Sequence, residues 1–111
     1  MNIFVEQMKK LFLVLVSIII MFQTYAQQKV LVFHLMDEIS PKTWRYTLKA
    51  LEKASSINAS AVIIHLNTYG GLLDDADSIR SAILNAEMPV YVYINNNAAS
   101  AGALISLACD S

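Results

Sequence analysis

Val90-Tyr-Val-Tyr-Ile-Asn-Asn-Asn-Ala-Ala-Ser-Ala-Gly-Ala-Leu-Ile-Ser-Leu-Ala108 changes character twice along its length. Val90 to Ile94 is a short β-branched and aromatic run of the kind that forms a strand. Ala101 to Ala108 is an apolar, helix-like run, and Asn95-Asn-Asn97 and Ser100 lie between the two. The stretch therefore reads as strand, polar connection, helix, with Ser100 at the helix start. A helix N-terminus exposes unpaired N–H groups and a partial positive charge, which can stabilise an alkoxide or a tetrahedral oxyanion. Ala98, Ala99, Ala101 and Gly102 leave room for a substrate backbone to come close. A plain serine N-cap is the ordinary reading of such a position, and Ser100 alone does not displace it.

The same grammar occurs twice more upstream. Lys29-Val-Leu-Val-Phe-His-Leu35 and Ala61-Val-Ile-Ile-His-Leu66 are apolar runs without alternation, which suggests strands buried on both faces, as in a parallel sheet. Between them, Ser40 and Pro41 suit an N-cap and a first helical position. Trp44, Leu48 and Leu51 then give that helix an apolar face. Asp74 and Asp75 suit the positive end of a further helix, whose face is Ala76, Ile79, Ile83 and Ala86 and which Met88-Pro89 ends. Strands are expected near 29–35, 61–66 and 90–94, and helices near 41–55, 74–87 and 100–109. The order β-α-β-α-β-α places the chain in the α/β class, with right-handed crossovers and a parallel sheet.

In such a sheet the connections leaving the carboxyl ends of the strands share one edge, and ligands bind there. His65-Leu-Asn-Thr-Tyr-Gly-Gly71 follows the second strand and Asn95 to Ser100 follows the third, so both open onto one cleft. Gly70-Gly71 offers backbone amides with no side chain to block approach. A Gly-Gly pair alone is an ordinary turn. Paired with a serine at a helix start on the same edge, it makes an oxyanion-hole constellation.

Composition narrows the field. The 111 residues carry a net charge of −1 and are 56% hydrophobic, and part of that is a targeting segment. Lys9-Lys10, the apolar run Leu11 to Phe22 and Gln-Thr-Tyr-Ala26 match a secretory signal peptide over residues 1–26, cleaved after Ala26. The apolar run is short of the roughly 20 residues a spanning helix needs. Residues 27–111 hold six Lys/Arg against eight Asp/Glu, with no basic cluster, which argues against nucleic acid. Cys109 is the only cysteine, so no internal disulfide forms, and its apolar neighbours suggest a buried thiol. His34 and His65 read as structural strand histidines, with His65 the better base candidate because it precedes the Gly-Gly loop. Asp74, Asp75 and Asp77 have no neighbouring His or Cys and suggest no metal. No cofactor is expected.

Asn67-Thr-Tyr-Gly-Gly71 followed by Ala98-Ala-Ser-Ala-Gly-Ala103 resembles the membrane-associated serine proteases of the nodulation efficiency protein D (NfeD) family, within the Clp protease–crotonase superfamily. The resemblance runs from about Val30 to Ser111 and is densest over 61–111. It implies that Ser100 is the nucleophile and that Gly70, Gly71 and the amide of Ala101 line the oxyanion hole. Asn67, Tyr69, Asn97 and Ala99 would then contact substrate, with the Asn95–Asn97 loop capping the next helix and binding extended peptide. Many relatives have proline where this chain has Tyr69, which alters the stiffness of the loop and the subsite beside the hole. The general base implied by the resemblance is a lysine downstream of the serine, yet neither lysine nor histidine follows His65. Residues 27–111 therefore read as the N-terminal part of a Clp/crotonase-like protease domain, truncated before its further strands, helices and membrane spans. The implied substrates are peptides or membrane-protein segments, with stomatin-like partners and a homo-oligomeric assembly.

Three other readings compete with this one. A crotonase-type acyl-coenzyme A enzyme would use the same amide pair, but an export signal is at odds with coenzyme A chemistry. A nucleotide-binding module lacks any G-x-G-x-x-G or P-loop lysine, and Asp74-Asp75 would repel phosphate. A non-catalytic membrane-associated scaffold would retain only the binding edge.

Overall fold

Three strands, β1 (Val30–Leu35), β2 (Ala61–Thr68) and β3 (Val90–Ala98), pair in parallel in the order β1-β2-β3 in the computed structural model, which describes residues 2–23 and 27–110. The registers are Val30↔Ala61 to Leu35↔Leu66, then Val62↔Val90 to Leu66↔Ile94. Helices α2 (Pro41–Ser56) and α3 (Leu73–Leu84) are the crossovers, and α4 (Ala101–Ala108) follows β3. Helix α1 (Asn2–Gln23) precedes the sheet.

The sheet is covered on one face, not two. Along β2, buried Val62, Ile64, Leu66 and Thr68 alternate with less buried Ala61, Ile63, His65 and Asn67. On β1, Phe33 and Leu35 are buried while Val32 is exposed, and on β3 Val90 is buried while Tyr91 and Tyr93 are exposed. The reason lies in the strand order. Crossovers of one hand that step along a sheet in a single direction all fall on the same side, so unbroken apolarity here does not mean two buried faces. The core between sheet and helices includes Leu35, Ile39, Ile64, Leu66, Ile79 and Ile105.

Helix α2 starts as its sequence suggests. Ser40 is the N-cap, Pro41 opens the helix, and Thr43 completes a capping box by accepting from Ser40 N–H at 2.8 Å. Its inward face differs from expectation, being Thr43, Thr47, Leu51 and Ala54, while Leu48 is exposed. Thr47 tolerates full burial because its hydroxyl donates to Thr43 C=O at 2.8 Å. Helix α3 buries Ala76, Ile79 and Ile83 and keeps Asp74 and Asp75 in its first turn. It ends at Leu84, before the expected Met88-Pro89.

Both site strands run further than the sequence suggested. β2 continues through Asn67 and Thr68, and β3 through Asn95–Asn97 to Ala98, so these residues are strand rather than loop. Between Leu66↔Ile94 and Thr68↔Ala98 the register shifts, and Asn96 there takes φ +76°. An asparagine tolerates that conformation better than most residues, and the shift brings the end of β3 back alongside Thr68.

Most apolar side chains of α1, among them Phe4, Leu11, Ile19 and Phe22, are exposed. No helix among the described residues is long and apolar enough to cross a membrane. The expected cleavage point at Ala26 lies outside the described residues.

Candidate active site

The ends of β2 and β3 are tied together by three contacts. Ala99 N–H donates to Thr68 C=O at 3.1 Å, and Asn97 N–H donates to the Asn67 side-chain oxygen at 3.3 Å. Gly70 then lies directly against Ser100: a methyl group on Gly70 would sit 2.9 Å from Ser100 Cβ and 3.4 Å from Ala101 N. The Gly-Gly segment and the serine thus share one edge of the sheet.

Ser100 occupies the N-cap position of α4 without acting as a cap. Its backbone is at φ +53°, ψ −115°, and its side chain makes no capping hydrogen bond. A non-glycine residue held in this sparsely populated region costs on the order of 1–3 kcal/mol. The ordinary N-cap reading has no support here, because the hydrogen bond that favours a cap serine is missing. The residue is exposed, and among the described residues its hydroxyl is free of partners. The rest of the turn is secured by its backbone: Gly102 N–H donates to Ala99 C=O at 2.9 Å, and Ala103 N–H to Ser100 C=O at 3.0 Å.

The three expected oxyanion residues divide. Gly70 N–H donates to Thr68 Oγ1 at 3.1 Å, so it is not available as a donor. Gly70 C=O accepts from Ile39 N–H at 2.9 Å. Because a trans peptide holds its C=O and N–H antiparallel, that bond turns the Gly71 N–H away from Ile39. Gly71 is exposed, and its N–H has no acceptor among the described residues; nor does that of Ala101, which opens α4. Gly70 contributes space, while Gly71 and Ala101 contribute donors. Both glycines have positive φ, +117° and +152°. A side chain on Gly71 would collide with the backbone of Ile39 rather than with an incoming substrate.

Beside the glycines is a cleft of about 390 Å³ lined by Met36, Asp37, Glu38, Asn67, Thr68, Tyr69, Gly70 and Gly71. Tyr69 is 81% exposed at its rim, and Ala99 is exposed on the serine side. Asn97 and Asn67 are bonded to each other across the strands, and no Asn95–Asn97 side chain caps α4. Asp37, Glu38, Ile39 and Thr68 are members of the site that sequence reasoning missed. The signal for Thr68 was present, since a threonine two residues before a glycine in a turn can bond that residue's backbone. Nothing in the sequence marked the bridge between Ile39 and Gly71.

His65 is directed elsewhere. Its Nδ1 lies 3.0 Å from Nδ1 of His34, its register partner, on the uncovered sheet face, and its ring packs on Tyr93. Its Nε2 is buried without a partner among the described residues. Cys109 is a free, half-buried thiol: burial and then the charge of Asp110 push its pKa up to about 11.

Residues 29–111 match the family model described as NfeD1b, N-terminal domain. The chain belongs to this family. Membrane protein NfeD1b of Bacillus subtilis (strain 168) is 39% identical over 62 residues, 56% of this chain and 14% of that protein. Among solved structures, the 1510-N membrane protease specific for a stomatin homolog from Pyrococcus horikoshii is 32% identical, with a TM-score of 0.70, covering 76% of this chain and 44% of that one. ClpP1 from Listeria monocytogenes is 28% identical with a TM-score of 0.68, covering 70% and 46%. Both of these structural relatives are proteases, and the fold of this NfeD1b-family chain is of the ClpP-like α/β type. The chain spans less than half the length of either structure.

Proposed function

We propose that the complete protein is a serine endopeptidase in which Ser100 is the nucleophile. Ser100 Oγ attacks a peptide carbonyl carbon as its proton passes to a general base. The developing oxyanion accepts hydrogen bonds from the N–H groups of Gly71 and Ala101. Collapse of the tetrahedral intermediate expels the amine, which takes up the proton, and leaves an acyl ester on Ser100 that water hydrolyses. The family resemblance makes the base a lysine, and that lysine is not among these 111 residues. Asn67, Tyr69, Asn97 and Ala99 flank the cleft and contact the extended substrate.

The observation that carries this reading is Ser100 itself. A strained, uncapped, exposed serine pressed against a glycine and beside two unengaged amides serves no evident packing purpose. The protease named for a stomatin homolog supports membrane-protein segments as substrates, stomatin-like proteins among them. The relatives named as membrane proteins support a membrane-associated location. Residues 1–26 act as the export signal, and the assembly is a homo-oligomer.

Ser100→Ala in the full-length protein, assayed on a peptide from a stomatin-like partner, is expected to lower turnover by several powers of ten. Because the hydroxyl bonds nothing among the described residues, the melting temperature stays within a few degrees. Peptide hydrolysis at the wild-type rate by Ser100→Ala would reject the mechanism.

A further inference from the structure

We propose that Thr68 is the positioning residue of this site, the side chain that holds the Gly-Gly turn in place and sets its distance from Ser100; the inference rests on the peptidase reading. Thr68 is 2% exposed and sits at the last residue of β2. Its hydroxyl has one proton to give and two lone pairs to offer. The proton goes to Asp37 C=O at 3.0 Å, with Gly70 C=O at 3.3 Å as the alternative acceptor. A lone pair accepts Gly70 N–H at 3.1 Å. One oxygen thus joins the segment after β1 to the Gly-Gly turn and removes Gly70 N–H from the donor set.

The rest of Thr68 faces the serine side. Its C=O accepts from Ala99 N–H at 3.1 Å, one residue before Ser100. Its Cγ2 fills the space beside Gly102, where an added methyl would come within 2.6 Å of it. Hydroxyl, carbonyl and methyl of a single residue therefore hold the segment after β1, the peptide plane between Tyr69 and Gly70, and the first turn of α4. A buried threonine meant only to fill the core would need no such set of partners; Thr47, equally buried, bonds only its own helix. Misplacing a reacting group by about 1 Å costs on the order of a hundredfold in rate, so the role is to fix geometry rather than to touch substrate.

The two functions of the side chain separate by substitution in the full-length protein. Thr68→Val keeps the shape and loses the hydroxyl. Thr68→Ser keeps the hydroxyl and loses Cγ2. On a stomatin-like peptide, Thr68→Val is expected to lower kcat by about a hundredfold with KM within about threefold, while Thr68→Ser stays within about threefold of wild type. Hydrogen exchange of the peptide spanning Asn67–Leu72 should speed up in Thr68→Val and not in Thr68→Ser, a readout independent of catalysis. Gly102→Ala supplies a second arm should Thr68→Val fail to fold. Alone it should lower kcat by pushing on Cγ2, and the double change Thr68→Ser with Gly102→Ala should restore it. Thr68→Val with unchanged kcat and unchanged exchange would overturn the proposal, as would equal losses in Thr68→Ser and Thr68→Val, or no rescue in the double variant. Failure of the peptidase reading itself would show separately, as hydrolysis that persists in Ser100→Ala.

Discussion

Ser100 holds a backbone conformation that glycine adopts at little cost and serine does not. Ser100→Gly is therefore expected to stabilise the fold by about 1 kcal/mol while eliminating hydrolysis, a pairing that denaturant unfolding and a peptidase assay detect together. Gly70→Ala acts in the opposite direction. Its φ of +117° is unfavourable to any Cβ, and the new methyl would press on Ser100. A loss of more than 1 kcal/mol is expected, with turnover falling too. Gly71→Val tests less than its position suggests, because the collision with Ile39 predicts misfolding before any effect on substrate. Cys109 adds a pH signature. Its folded pKa of about 11 exceeds that of an exposed thiol, so folding keeps the proton that the unfolded chain releases. Stability from this group is complete below about pH 8.5 and is lost as pH rises through about 11. Urea unfolding from pH 8 to 11 should show that decline, reduced in Cys109→Ala.

At the level of elements, the order of strands and helices was legible because each apolar run ends at a turn or cap with its own chemistry. Ser40-Pro41 at α2 and Asp74-Asp75 at α3 are examples. The open sheet face was not read from the strands, since composition does not say on which side the crossovers fall; the strand order does. Nor was the extension of β2 and β3 through asparagines, which follows from backbone pairing that polar side chains do not advertise. At the site, Ser100 and the glycines stood out by residue type. Thr68 and Ile39 did not, because their parts depend on contacts across the fold. The inward threonines of α2 give a prediction at this scale. Thr47→Val should change stability by less than about 1 kcal/mol, because the hydroxyl bonds only its own helix. Thr43→Ala should cost about 1 kcal/mol or more through loss of the capping box. Thermal melts of the two variants distinguish them.

For the whole molecule, the sheet brings Ser100 and two unengaged backbone amides to one edge, and the family of NfeD1b N-terminal domains accounts for residues 29–111. The uncovered face of the sheet, with Val32, Tyr91 and Tyr93 exposed, and the apolar exterior of α1 are features of the chain as described. Export should leave a mature N-terminus at Gln27, which N-terminal sequencing of the processed protein reads directly; an N-terminus still at Met1 would contradict it. The central claim, that Ser100 is an activated nucleophile, is tested most directly by treating the full-length protein with a fluorophosphonate probe and mapping the adduct by mass spectrometry. The account predicts a single adduct on Ser100, absent in Ser100→Ala and slowed in Thr68→Val. Failure of the folded full-length protein to label at Ser100, or labelling unchanged by Ser100→Ala, would contradict it.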